Sequence, residues 1–271
     1  MSNEKSLIEK VCEELLGRGY NASIETIFKN NLKLNGLVVH SEGRNLSPIL
    51  YEEWLEKYKD KSIDDICLAV IAFYDDFAEN GEAYMKDVTN MDYILNNTFA
   101  SVCRYDWNTE MLKNVPYKEI PGTDLVYYPR VRVADGTCVV SISHAESVGI
   151  NADKILEVAV ENSKKESKIV WFKDFDYQTA ALLTNENGHY GASAIIFFDH
   201  LREVMVNMET DRLAVIPSSV HEVILVPYEM FATDKHDEIN NMICEVNSLL
   251  VEENERLSDH VYIFDGERFV E

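Results

Sequence analysis

Residues 212–227 read RLAVIPSSVHEVILVP. Two apolar runs flank a polar centre made of Ser218, Ser219, Val220, His221 and Glu222. Whether this stretch is helix or strand decides the fold. A helical reading would suggest the zinc-peptidase pattern HExxH, which needs a second histidine one turn after His221 so that both imidazoles share a face. That position is Leu225, and the surrounding Val223, Ile224, Val226 and Pro227 favour strand. The stretch therefore reads as two strands joined by a polar turn, with His221 and Glu222 directed to opposite faces.

Ser218, Ser219, His221 and Glu222 are also the candidate catalytic set. A serine hydroxyl activated by an imidazole is geometrically conceivable in a tight turn. However, no G-x-S-x-G elbow is present and no third residue can be assigned. Serines after a proline commonly bond nearby backbone, so turn chemistry is the leading reading of this set.

Working outward, hairpins recur. DLVYYPRVRVADGTCVVSIS folds back around Asp135-Gly136, and VYIFDGERFVE turns at Asp265-Gly266. AALLTNENGHYGAS reads as a strand pair turning at Asn187-Gly188, with Gly191 suited to a close packing contact. SIETIFKNNLKLNGLVVH reads as two strands turning at Asn30-Asn31 or Asn35-Gly36. Between them lie amphipathic helices. One contains Leu7, Val11 and Leu15 and stops at Gly17 and Gly19; others start at Ser47-Pro48, at Ser62 with Asp65, and at Asn151. A helical region covers roughly 92–113, and another helix carries Phe198, Leu201, Val204, Met205 and Met208. Ile239, Met242, Ile243, Val246, Leu249 and Leu250 give the clearest helical stripe. Strands joined by hairpins rather than by helical crossovers predict an α+β fold with mixed, largely antiparallel sheets and packed helices. The change of character near residue 115 suggests two closely associated lobes, 1–114 and 115–271.

The 271 residues carry a formal net charge of -23, which disfavours binding to phosphate backbones or anionic lipid. The acidic residues are dispersed, as solubility alone would require. No window is long and apolar enough to cross a bilayer, and the charged amphipathic start lacks the apolar core of a signal peptide. Cys12, Cys67, Cys103, Cys138 and Cys244 show no CxxC spacing, consistent with reduced thiols in a cytoplasm.

None of the seven histidines pairs with another ligand type at an established metal spacing, so no metal is expected. His260 follows Asp259, but adjacent residues on a strand diverge. The glycines of NENGHYGAS form neither a dinucleotide fingerprint nor a P-loop, so no cofactor is expected. Lys164, Lys165 and Lys168 read as a solvated helix end. Tyr127, Tyr128, Arg130 and Arg132 could line a groove, although alternation along a half-buried strand explains them too.

Several segments together resemble an uncharacterised bacterial family, the domain of unknown function numbered 5688. They are GLVVHSEGRNLSPILYEEWLEKY, LKNVP, GINADKILEVAVENS, LLTNENGHYGASAII, IPSSVHEVILVP, EINNMICEVN and LSDHVYIFD, in order along the chain. The C-terminal part is more faintly similar to a second poorly characterised bacterial family, with a DLYVVYV-like strand and an IP-x-R-D-type hairpin, through DLVYYPRVRV and IPSSVHEVILVP. The chain departs from the first family between Pro116 and Arg132, where a more continuous apolar strand is replaced by PGTDLVYYPR. The resemblance implies an α+β fold in a soluble bacterial protein and assigns no activity.

The expected function is a non-enzymatic protein-interaction or regulatory module with an unidentified protein partner. Alternatives are a hydrolase or transferase at the Ser218–Glu222 turn, joined there by His189, Asp259 or His260, and an acidic nucleic-acid mimic.

Overall fold

Ser6 shows how directly this chain encodes its first element. Its side chain accepts the amide of Glu9, and the Glu9 carboxylate accepts the Ser6 amide, so two open donors are satisfied reciprocally. The helix that follows, α1 (Leu7–Gly17), closes before Gly19, which has a φ of 90°. A computed structural model describes residues 5–29, 32–40, 49–133, 136–174, 177–230 and 236–270. The chain packs as two compact units, Met1–Lys86 and Asp87–Glu271.

In the first unit, β1 (Asn21–Lys29), β2 (Leu32–His40) and β3 (Leu50–Tyr51) form an antiparallel sheet in that order. Asn30 and Asn31, between the paired Lys29 and Leu32, lie outside the described residues, whereas Asn35-Gly36 lies inside β2. The expected helix start at Ser47-Pro48 also lies outside them, and α2 (Glu52–Glu56) follows Tyr51. The hydroxyl of Ser62 accepts the Asp65 amide at 3.1 Å and so opens α3 (Ile63–Val88). Ile8, Val11, Leu15, Leu37, Leu55, Ile66 and Val70 meet in the core of this unit.

The second unit begins with α4 (Met91–Asn97) and β4 (Thr98–Arg104), then α5 (Thr109–Leu112), β5 (Lys118–Glu119), β6 (Leu125–Val133) and β7 (Gly136–Val139). Residues 98–104, expected to be helical, are a strand. Six of the seven are buried, so the run lacks the alternation that marks a half-exposed strand. Every residue of β4 pairs with β6, which places the division between units well before residue 114. β6 takes in the second half of the segment that departs from the family pattern. Its Pro129 lies opposite Ala100, whose amide turns to the Ser163 hydroxyl at 2.8 Å, so the missing N–H leaves that ladder intact.

The rest of the unit comprises α6 (Ile142–Ser147), α7 (Ala152–Glu166), β8 (Ser167–Asp174), β9 (Tyr177–Asn185), α8 (Phe198–Met208), β10 (Leu213–Ser219), β11 (Glu222–Pro227), α9 (His236–Leu250), β12 (Tyr262–Phe264) and β13 (Phe269–Val270). Asn151 caps α7 by accepting the Lys154 amide at 2.8 Å. The last six strands form one sheet in the order β13-β12-β10-β11-β9-β8, and every described pairing is antiparallel. The fold is α+β, as the hairpin signals predicted. One segment behaves differently. NENGHYGAS is not a strand pair, because β9 ends at Asn185 and a 3-10 turn, Gly191–Ile196, runs under the sheet. No helix among the described residues is long and apolar enough to cross a membrane.

Candidate functional site

The RLAVIPSSVHEVILVP stretch is an antiparallel hairpin in which Ile216 faces Ile224 and Ser219 faces Glu222. The Ser219 hydroxyl oxygen accepts the His221 amide at 3.0 Å, the local bonding expected of a turn serine. The Ser218 backbone belongs to β10, and its side chain lies outside what the structure describes. Glu222 is exposed and therefore needs no buried partner. His221 is held from both sides. Its Nδ1 accepts the Tyr190 amide at 3.2 Å, which leaves the hydrogen on Nε2, directed at Glu255 Oε1 3.2 Å away. Neither ring nitrogen is thus paired with Ser219, and a nucleophile–base contact is not formed among the described side chains.

The turn has a second layer. Thr184 donates its hydroxyl to the His221 carbonyl at 3.1 Å, and Val220 accepts the Ala192 amide at 3.2 Å. Gly191 is required by this closeness: a Cβ there would sit 2.5 Å from Thr184 Oγ1 and 2.7 Å from the His221 carbonyl oxygen. The preceding Tyr190 adopts φ 58° and ψ 25°, a left-handed conformation unusual for a bulky residue. Its ring contacts Phe99, His221 and the Arg130 guanidinium, with the last 4.5 Å from the ring centre. His189 joins from the rim, its ring 5.5 Å from that of His221. Three segments of separate sequence character, around Arg130, Tyr190 and His221, therefore meet in one place.

Asp259 and His260 belong to a different cluster, built on Arg104. The guanidinium reaches Asp106 at 2.8 Å, Asp124 at 2.8 Å and Asp259 at 2.7 Å, and stacks over Trp107. Contrary to the divergence expected on a strand, His260 Nδ1 lies 3.1 Å from Asp259 Oδ1, because both residues sit in a bend before β12. The Tyr262 hydroxyl donates to Asp124, and burial followed by that carboxylate pushes the phenol far above its usual pKa. The fully buried Ser258 hydroxyl donates to the His260 carbonyl at 3.2 Å and accepts the His260 amide at 3.3 Å. These bonds tie the end of β4 to the entry of β12. They border an open cleft of about 900 Å³ lined by Asp124, His260, Tyr262, Arg268 and Phe269. Sequence reading missed Arg104, Asp124 and Tyr262, which carry no local motif and are brought together only by strand pairing. Among the described residues, no group of three or more histidine, cysteine or acidic side chains could hold a metal ion.

Burial alone would raise the pKa of Asp259, but the hydrogen bond to His260 and the charge of Arg104 outweigh it and hold the carboxyl below its ordinary value. A depressed carboxylate contributes stability above its unfolded pKa of about 3.9, and that contribution is lost as pH falls through the lower folded value. Asp259→Asn is therefore expected to unfold at lower temperature than the wild type at pH 6, with the gap closing as pH falls below the ordinary carboxylate value of about 3.9. Thermal unfolding across that range measures it. Because Asp259 is 44% exposed, the gap is modest.

The family model described as "Family of unknown function (DUF5688)" matches residues 4–174 and 172–266. No curated protein and no solved structure matches the chain. With nearly the whole sequence accounted for by that one model, the chain belongs to the DUF5688 family of unknown function.

Proposed function

We propose that this is a non-enzymatic interaction module of the bacterial cytoplasm, whose docking surface is the outer flank of α9. The observation that carries this reading is the exposure of Met242 (51%), Val246 (43%), Leu249 (74%) and Leu250 (80%). They recur at i, i+4, i+7 and i+8 and so share one stripe. A stripe of this kind commonly faces a core. Instead α9 is fastened by Ile243 together with polar bonds: Asn247 donates to the Ser258 carbonyl at 2.8 Å, and Asn240 accepts the Val261 amide at 3.1 Å. An apolar stripe left on the surface of a charged protein marks a contact site.

The charge around the stripe names the partner. The α9 sequence contains no lysine or arginine, and Glu245, Glu252 and Glu253 are exposed near its C-terminal half. A segment with an apolar face flanked by lysine or arginine complements this surface, whereas a second copy would set carboxylates against carboxylates. The turn at His221 supports the same reading, since the Ser219 hydroxyl and His221 Nδ1 accept backbone amides and His221 Nε2 faces Glu255.

The test is binding of an amphipathic leucine–lysine helical peptide, followed by fluorescence anisotropy. The Leu249→Glu/Leu250→Glu variant adds negative charge, so nonspecific attraction to the peptide would strengthen. Loss of the two apolar contacts is instead expected to weaken binding about 30-fold. Melting temperature should hardly change, because both side chains are exposed. Equal affinity in the variant would overturn the proposal. So would a wild-type dimer in sedimentation that the double substitution dissolves.

A further inference from the structure

We infer that Arg130 anchors a binding site for an oxyanion, a phosphoryl or carboxylate group carried by a ligand. The starting point is a charge without a counter-charge. Arg130 is largely buried, and a guanidinium cannot shed its proton to escape burial. Its described polar contacts are all neutral. Nε and Nη2 donate to Thr137 Oγ1 at 3.1 and 2.7 Å, Nη2 to the Thr137 carbonyl at 3.4 Å, and Nη1 to the Tyr128 hydroxyl at 3.5 Å. The last is at the limit of a hydrogen bond, so the Nη1 side of the fork is weakly engaged.

Neighbouring arginines differ. Arg132, two residues along the same strand, holds Glu166 through both terminal nitrogens, and Arg104 holds three aspartates. Among the described residues no carboxylate lies within ion-pair distance of Arg130, in a chain with 48 acidic residues. A buried unpaired charge is costly, so a position without a carboxylate partner among the described residues suits a counter-ion from outside.

A second, independent observation lies in the backbone. Tyr190 is held left-handed by its amide bond to His221 and by the tight seat of Gly191. Strain of this kind persists where surrounding structure enforces it, and it concentrates at ligand sites. Its effect here is to set the Tyr190 ring beside the guanidinium, whose central carbon lies 4.5 Å from the ring centre. Tyr190 and Arg130 are both partly accessible, and the exposed His189 stands at the rim. The site thus has a cationic floor, an aromatic wall and an imidazole edge, the elements that recognise a planar or tetrahedral oxyanion.

Thermal unfolding of the full chain with inorganic phosphate, phenyl phosphate or acetate, at constant ionic strength, tests this. At least one should raise the wild-type midpoint by about 3 °C at a few times its Kd. Phosphate stabilises proteins generally, so the decisive comparison is Arg130→Gln, which should lose the specific rise. A tighter response to phenyl phosphate than to phosphate identifies a monoester stacked near Tyr190; a response to acetate alone identifies a carboxylate. If Arg130→Gln does not fold, Arg130→Lys keeps the charge without the fork and should bind at least tenfold more weakly. The inference is overturned if none of the three anions stabilises the wild type beyond a matched chloride control. It is equally overturned if the rise survives in Arg130→Gln, or if Arg130→Lys binds as tightly as the wild type.

Discussion

Gly191→Ala is expected to destabilise the protein by about 3 kcal/mol, the upper part of the range for overpacking a tightly closed site. The added Cβ would lie 2.5 Å from Thr184 Oγ1, 2.6 Å from the Asn185 amide nitrogen and 2.7 Å from the His221 carbonyl oxygen. Two of those three atoms are backbone. They belong to β9 and to the hairpin turn, so relief requires the two strands to part rather than one side chain to rotate. Gly188, three residues earlier, provides the control. It has a φ of 68° but nothing within 4 Å of the added carbon, so Gly188→Ala carries only the left-handed backbone cost of about 1 kcal/mol. Urea unfolding of the two variants separates the effects. If Gly191→Ala proved no worse than Gly188→Ala, the close approach of the 3-10 turn to the sheet would be wrong.

Phe264→Ala is expected to cost about 4 kcal/mol, as aromatic truncations in rigid cores do. Phe264 is fully buried and lies at the centre of an aromatic group, 5.1 Å from the Phe198 ring and 5.4 Å from that of Phe269. Its neighbours come from α8 and from the edge strand β13, which contributes only two residues to the sheet and cannot move in to fill the space without losing its pairing with β12. Phe264→Leu keeps most of the volume and should cost about 1.5 kcal/mol or less. Equal losses for alanine and leucine, measured by chemical denaturation with unchanged slope, would show that ring geometry rather than volume governs the site.

The sequence made local devices legible because each depends on neighbours a few positions away. The Asn151 cap, the α8 stripe and the β10–β11 hairpin are of this kind, and the structure contains all three. It hid β4, because Thr98 to Cys103 bury both faces and leave no period to read. For α9 the sequence showed the stripe but not its setting. Periodicity reports which residues share a face, and Leu249 and Leu250 share one; it says nothing of whether that face meets the core. At the candidate site, Ser219 and His221 were visible as a polar interruption between strands. Their partners were not: Tyr190 reaches His221 across 31 positions, and Arg104 reaches Asp259 across 155. Such pairings are set by strand register, which a single sequence specifies only through the packing of the whole unit.

The strand order β13-β12-β10-β11-β9-β8 has a consequence for how this protein reaches its fold. β8 with β9, β10 with β11, and β12 with β13 are each neighbours in both sequence and space, so three hairpins can close with small loop entropy before anything distant is recruited. The slow steps are then the two docking events that join them, Leu183 beside Val223 and Leu213 beside Phe264, across about forty and fifty positions. The sheet is assembled from three prefabricated pieces, and its rate of formation is governed by the seams.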